Sequence, residues 1–237
     1  MLMLECIKCI QRNKLKYSIL PHTLKKYVKN ILQIIHLSNT EQFIEYCSNG
    51  YINEAKWIYF KGVNIHLFND KALKLSCTHG YLYIAQWIYS IYSYPLYNYI
   101  DRANDIIYIY SDESLIRKAL YNIQNIDILT NTFYLSCING HLHIANWLYS
   151  LGCQITDNLF ILTCACGQLN IAKWLYKYSN IDVNSYNNSS FEYSCINGHD
   201  DVAEWLLTKG TFNTCKNTSL YNQICKKGYI KVSRLFT

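Results

Sequence analysis

From Phe133 to Leu148 the apolar positions change rhythm once, at a glycine. Phe133, Ser136 and Cys137 put apolar or small residues three and four apart, which is one helical face. Gly140 ends that helix, because glycine takes the left-handed conformation without a Cβ clash. Beyond it, Leu142, Ile144, Ala145, Trp147 and Leu148 form the apolar stripe of a second helix. The pattern predicts two short antiparallel helices in about 20 residues, followed by a linker of about ten. Asn131, Asn158 and Ser189 each stand two residues before a phenylalanine, where they are suited to cap the first helix by accepting from its free N–H groups.

The same spacing recurs from Phe43 (FIEYCSNGYINEAKWIYFKG), Leu73, Phe133, Phe160 and Phe191. A sixth copy from Tyr221 keeps Cys225 and Gly228 but has Ser233 at the alanine position and Leu235 at the tryptophan position. The six glycines, Gly50, Gly80, Gly140, Gly167, Gly198 and Gly228, are separated by 30, 60, 27, 31 and 30 residues. The long gap holds a weak copy: Ile116 to Tyr121 matches the I-A-x-W-L-Y stretch, with Asp112 for the glycine and Arg117 for the alanine. Ile126-Asp127-Ile128 there repeats Ile181-Asp182-Val183. Seven units therefore tile 41–237, near 41–70, 71–101, 102–130, 131–157, 158–188, 189–218 and 219–237. A unit this small cannot bury both faces of its helices alone, so the expected fold is an all-α helix-turn-helix solenoid, one unit degenerate. Residues 1–40 are expected to form a basic helical cap, two helices broken near Pro21, because an array needs ends that cover its core.

The stretch Asn131 to Leu148 aligns with the T-P-L-H-x-A-A-x-x-G-H-x-x-I-V-x-L-L motif, and the chain resembles the ankyrin-repeat family. Cysteine takes an alanine site, alanine the valine site and tryptophan a leucine site, and the short units imply short or irregular connecting turns. The C-x-x-G-x-L-x-I-A-x-W-L-Y variant is similar to the ankyrin-like repeat proteins of large amoebal DNA viruses. The resemblance implies a non-enzymatic protein-binding scaffold, with a host protein as partner if the chain is viral. By carry-over, the two residues before each glycine lie on the concave, partner-binding surface: Ser48, Asn49, Thr78, His79, Ile138, Asn139, Ala165, Cys166, Ile196, Asn197, Lys226 and Lys227. Linker residues Asn69, Asp70, Asp157, Tyr186 and Asn187 are second candidates.

Composition supports a packed helical protein. Of 237 residues 51% are hydrophobic and 16% charged, with 2 prolines and 9 glycines, which excludes global disorder and a collagen-like chain. No window approaches 18 uninterrupted apolar residues, so the expectation is a soluble, intracellular, cytoplasmic protein without a membrane partner. The net charge of +6 is uneven. Residues 1–30 hold seven bases against Glu5, and Lys209, Lys216, Lys226, Lys227, Lys231 and Arg234 meet no acid up to Thr237. Such ends attract nucleic acid or an acidic partner, or are simply solvated by lysine.

Eleven cysteines invite a metal or disulfide reading. Cys47, Cys77, Cys137, Cys164, Cys195 and Cys225 all stand three residues before a glycine. Stacked helices are about 8–10 Å apart, too far for equivalent cysteines to share a zinc ion or a disulfide, so these read as small core residues. Cys6 and Cys9 form an isolated C-x-x-C. His141 and His199 follow their glycines and are suited to order the inter-helix turn, while His141 and His143, two apart, point to different sides of a helix. Trp57, Trp87, Trp147, Trp174 and Trp205 read as core beside their alanines and, less well, as base-stacking platforms. No phosphate loop, nucleophile elbow or kinase signature is present, so neither an enzyme, a cofactor, a metal nor a small-molecule substrate is expected. The alternatives to protein binding are nucleic-acid binding through the basic ends and a substrate-recruiting role in a ubiquitin ligase, for which Leu20-Pro21 offers a faint F-box likeness.

Overall fold

The computed structural model describes residues 37–63, 67–93, 126–216 and 218–237. They form twelve helices and, among the described residues, no strand. The chain divides into two compact units, 1–107 and 108–237. In the first, α1 (Asn39–Ser48) pairs with α2 (Ile52–Tyr59), and α3 (Leu67–Thr78) with α4 (Leu82–Ser93). The second holds four pairs: α5 (Ile126–Ile138) with α6 (Leu142–Ser150), α7 (Asp157–Ala165) with α8 (Leu169–Tyr178), α9 (Ser185–Ile196) with α10 (Asp200–Leu207), and α11 (Ser219–Lys227) with α12 (Ile230–Ser233). Within it α5, α7, α9 and α11 lie side by side in chain order. The degenerate unit, apart from its last residues, and the cap assigned to residues 1–40, apart from its last four, lie outside the described residues.

Every pair is joined by the same turn. The N–H of the residue after the glycine donates to the carbonyl five residues back, as Tyr51 does to Tyr46 (2.9 Å), Tyr81 to Ser76 (2.8 Å), His141 to Ser136 (2.9 Å) and His199 to Ser194 (2.9 Å). In five of the six turns the glycine N–H also donates to the cysteine carbonyl three residues back, for example Gly140 to Cys137 (3.2 Å). This is a Schellman closure, and it requires a left-handed residue between the helices. Gly140 sits there at φ 85° and Gly198 at φ 80°. A second demand comes from the neighbouring pair: a Cβ on Gly140 would lie 2.6 Å from Gln168 Oε1, and one on Gly198 2.9 Å from Tyr229 Cε1. Tyr81, Gln168, His199 and Tyr229, each directly after a glycine, thus pack onto the glycine of the preceding pair. His199 does this against Gly167, so its ring lies on the preceding pair as well as beside its own turn.

The helix starts differ from the sequence expectation. Ser38 caps α1 in a capping box with Glu41, whose carboxyl is held below its ordinary pKa by hydrogen bonds from the Ser38 hydroxyl (2.7 Å) and N–H (3.0 Å). Thr156 caps α7 and Thr218 caps α11, each by accepting an N–H at 3.2 Å. Asn158 is consequently inside α7, and Asn131 is inside α5, which begins five residues earlier, at Ile126. Ile126-Asp127-Ile128 is therefore helical, unlike its counterpart Ile181-Asp182-Val183. Ser189 follows three left-handed residues, Tyr186, Asn187 and Asn188 (φ 50°, 56° and 65°), where the α9 chain kinks.

The core is built from the first-helix phenylalanine and cysteine and from Ile-Ala-x-x-Leu of the second helix. Phe133, Cys137, Ile144, Ala145 and Leu148 are all buried, as are their equivalents Phe160, Cys164, Ile171, Ala172 and Leu175. Before each of these cysteines stands a buried hydroxyl that donates to its own helix: Ser136 to the Thr132 carbonyl and Thr163 to the Leu159 carbonyl, both at 2.7 Å. In α1 this place is taken by Tyr46, fully buried, with no hydrogen-bond partner for its hydroxyl among the described residues. Burial, and secondarily Glu54, pushes its pKa up to about 12.

The tryptophans correct the sequence reading. Trp57, Trp87, Trp147, Trp174 and Trp205 are half-buried, not core, and Leu142 is half-buried too. In Trp87, Trp174 and Trp205 the ring sits at the seam between pairs, against the preceding pair. Trp174 meets Phe133 (centroids 6.4 Å) and Tyr149 (5.5 Å, edge-on), Trp205 meets Phe160 (6.2 Å) and Tyr176 (5.7 Å), and Trp87 meets Phe43 (6.1 Å) and Tyr59 (5.7 Å). In the last pair Leu235 holds the aligned position, but the buried Phe236 makes the corresponding contact with Phe191 (6.2 Å).

Two stability measurements check this seam. Phe133→Ala is expected to cost about 3–5 kcal/mol and Trp174→Ala, less fully buried, about 2–3 kcal/mol in urea unfolding. The double variant should show a coupling of about 0.5–1.5 kcal/mol, and strict additivity would contradict the contact. Gly198→Ala and Gly228→Ala both force a non-glycine residue to positive φ, costing about 1–2 kcal/mol. Only Gly198 also has a ring above it, whereas a Cβ on Gly228 meets nothing within 4 Å, so Gly198→Ala should be the more damaging.

Candidate partner-binding face

The first helices present one edge to solvent, and the residues before each glycine lie at its end. His79, Asn139, Cys166, Asn197, Lys226 and Lys227 are exposed, while Ser48, Asn49, Thr78, Ile138, Ala165 and Ile196 are half-buried. Several of them also serve the fold, because the last carbonyls of a helix lack intrahelical donors. Asn49 Nδ2 donates to the Glu45 carbonyl (2.8 Å), Asn139 Nδ2 to Leu135 (2.7 Å), and Thr78 Oγ1 to Lys74 (2.8 Å). Two reach across to the preceding pair: Asn197 Nδ2 to the Ala165 carbonyl (2.7 Å) and Lys227 Nζ to Ile196 (2.8 Å). The position directly before the glycine therefore stitches neighbouring pairs in the second unit as well as facing solvent.

Sequence reasoning passed over the position five residues before each glycine. Leu162 is 45% exposed and Tyr193 49% exposed, and Leu135 beside them is half-buried. A signal was there: Leu159, Phe160, Ile161 and Leu162 are four consecutive apolar residues, which sweep about 300° around a helix, so one of them must face outward.

The linker candidates separate. Tyr186 is 59% exposed and Asn187 exposed, both at the kinked start of α9, where Asn184 Nδ2 donates to the Thr211 carbonyl (2.7 Å). Asn69, Asp70 and Asp157 are not linker residues: they lie in the first turns of α3 and α7, and Asp70 is buried with φ 54°.

The chemical candidates do not converge. Among the described residues no group of three or more His, Cys, Asp or Glu side chains is placed to hold a metal ion. His141 and His143 stand with ring centroids 6.1 Å apart. Cys6 and Cys9 lie outside the described residues. Cys47, Cys77, Cys137, Cys164 and Cys195 are buried, whereas Cys225, at the equivalent position of α11, is exposed. Burial raises the thiol pKa of all five, to about 12 for Cys137 and Cys195, and raises that of buried Cys153 to about 11.

Since the thiolate is the nucleophile, native alkylation near pH 8 is expected to modify Cys166, Cys215 and Cys225 and to spare the six buried thiols, Cys153 included, until denaturant is added. Peptide mapping by mass spectrometry reads the difference, and equal labelling of Cys164 and Cys166 would contradict the register of α7.

No described helix is long and apolar enough to cross a membrane. No curated protein matches the chain in sequence. Residues 133–218 match the family model described as ankyrin repeats (3 copies), a span that runs through the α5–α6, α7–α8 and α9–α10 pairs. Residues 133–218 are thus similar to a family whose repeats generally mediate protein–protein interaction.

Proposed function

We propose that the chain is a non-enzymatic scaffold that binds another protein across the solvent edge of its first helices. The observation that carries this reading is the split between constant and variable positions. Phenylalanine, cysteine, glycine and alanine recur at the buried and turn positions, whereas the exposed edge changes from Asn139 to Cys166, Asn197 and Lys227. The framework needs no particular residue at the edge, which leaves it available for recognition. In this reading residues 41–237 form one array with a basic helical cap at 1–40, and the protein works in the cytoplasm. The likeness to amoebal viral repeat proteins makes a host protein the partner.

Nucleic-acid binding is the second reading, favoured by exposed Lys226 and Arg234 at the last pair. Lys231 there is partly neutralised by Asp200 at 3.6 Å. The basic residues 1–30 and the Leu20-Pro21 feature behind the ubiquitin-ligase alternative lie outside the described residues.

Affinity capture on the tagged chain, with and without nuclease, tests the choice. Protein binding predicts a discrete retained protein that survives nuclease treatment. Retention on DNA that falls by orders of magnitude between about 50 and 200 mM salt, with no nuclease-resistant protein retained, would favour the second reading.

A further inference from the structure

We infer that the α5–α11 edge takes an apolar protein segment bearing carboxylates at the end that lies over Lys226 and Lys227. The inference rests on the protein-binding reading and names the chemistry of the partner.

The first helices of the second unit are aligned side by side, so equivalent positions form rows across them. Five and two residues before each glycine these rows read Leu135 and Ile138, Leu162 and Ala165, Tyr193 and Ile196, then Gln223 and Lys226. Three successive helices therefore offer an uncharged, apolar row, with Leu162 and Tyr193 about half exposed. The fold does not need apolar side chains there: α1 has Glu45 and α11 has Gln223 at the same position. Contiguous exposed apolar surface rimmed by polar residues marks a protein contact.

Charge sets the direction. Glu192 flanks the row, but its own positions are uncharged until Lys226, and no acid follows Asp201 and Glu204 in the chain. Lys226 is exposed and makes no ion pair among the described residues, and Lys227, also exposed, spends one donor on the Ile196 carbonyl. A segment that was basic at this end would be repelled, and a nucleic acid would find no positive charge along the apolar row.

Length sets the size. Three helix-to-helix steps of about 8–10 Å span about 24–30 Å. That is about eight extended residues at about 3.3 Å each. A short linear segment is long enough to reach from Leu135 to Lys226.

The test is selection of a displayed library of random 16-residue peptides on the full chain. The expected result is enrichment of peptides with several Leu, Ile, Phe or Met residues followed or preceded by Asp or Glu. Their binding should weaken at least tenfold on Leu162→Arg and on Tyr193→Glu. On Lys226→Glu it should weaken several-fold, and that loss should shrink in high salt. All three positions are exposed, and an unchanged thermal midpoint verifies that each variant folds. Peptides that are basic or lack apolar residues, peptides that bind Leu162→Arg as well as the original chain, or no enrichment at all would overturn the inference. A captured protein retained equally by Leu162→Arg would leave the scaffold reading standing while removing this one.

Discussion

Within each unit the described helix pairs pack on one another, and this stacking is the interaction on which the rest depends. The aromatic seam shows how this is achieved. Each tryptophan in an observed contact meets the phenylalanine and tyrosine of the pair before it, so the ring belongs to two units at once. Stability is then shared between neighbours, and a pair loses it wherever a neighbour is missing.

The glycine turn couples the same stacking to the backbone. Its left-handed residue lets two helices reverse in a single step, and the absent Cβ leaves room for the tyrosine, glutamine or histidine of the next pair. Asn197 and Lys227 add donors across the same boundary, where helix ends leave carbonyls without partners. Turn closure and pair-to-pair docking thus use the same few residues, and this is why their spacing recurs so regularly.

Because the stacking draws on one set of positions, the opposite edge of the first helices is released from the demands of the core. Five residues before the glycine, that edge carries Glu45 in α1 but Leu135, Leu162 and Tyr193 in α5, α7 and α9. The difference has no role in packing, so it is the part of the surface most open to a recognition function. Cys77 and Cys164, by contrast, are buried, and burial raises their thiol pKa, which disfavours the reactive thiolate.

The helix pairs, their order and the turn glycines were legible in the sequence, because apolar periodicity and a residue that tolerates positive φ are local properties. Cap identity was less so: Thr156 rather than Asn158 begins α7, since a cap is chosen by where the chain turns into the helix. Which large ring is core was decided by tertiary structure alone. Trp174 and Leu175 are adjacent on one apolar stripe, yet Leu175 is buried and Trp174 lies half-open at the seam, because only the position of the neighbouring pair sets which direction is inward. The outward Leu162 and Tyr193 were unrecognised for the same reason: hydrophobic identity is written in the chain, but the direction in which solvent lies is determined by what stacks alongside.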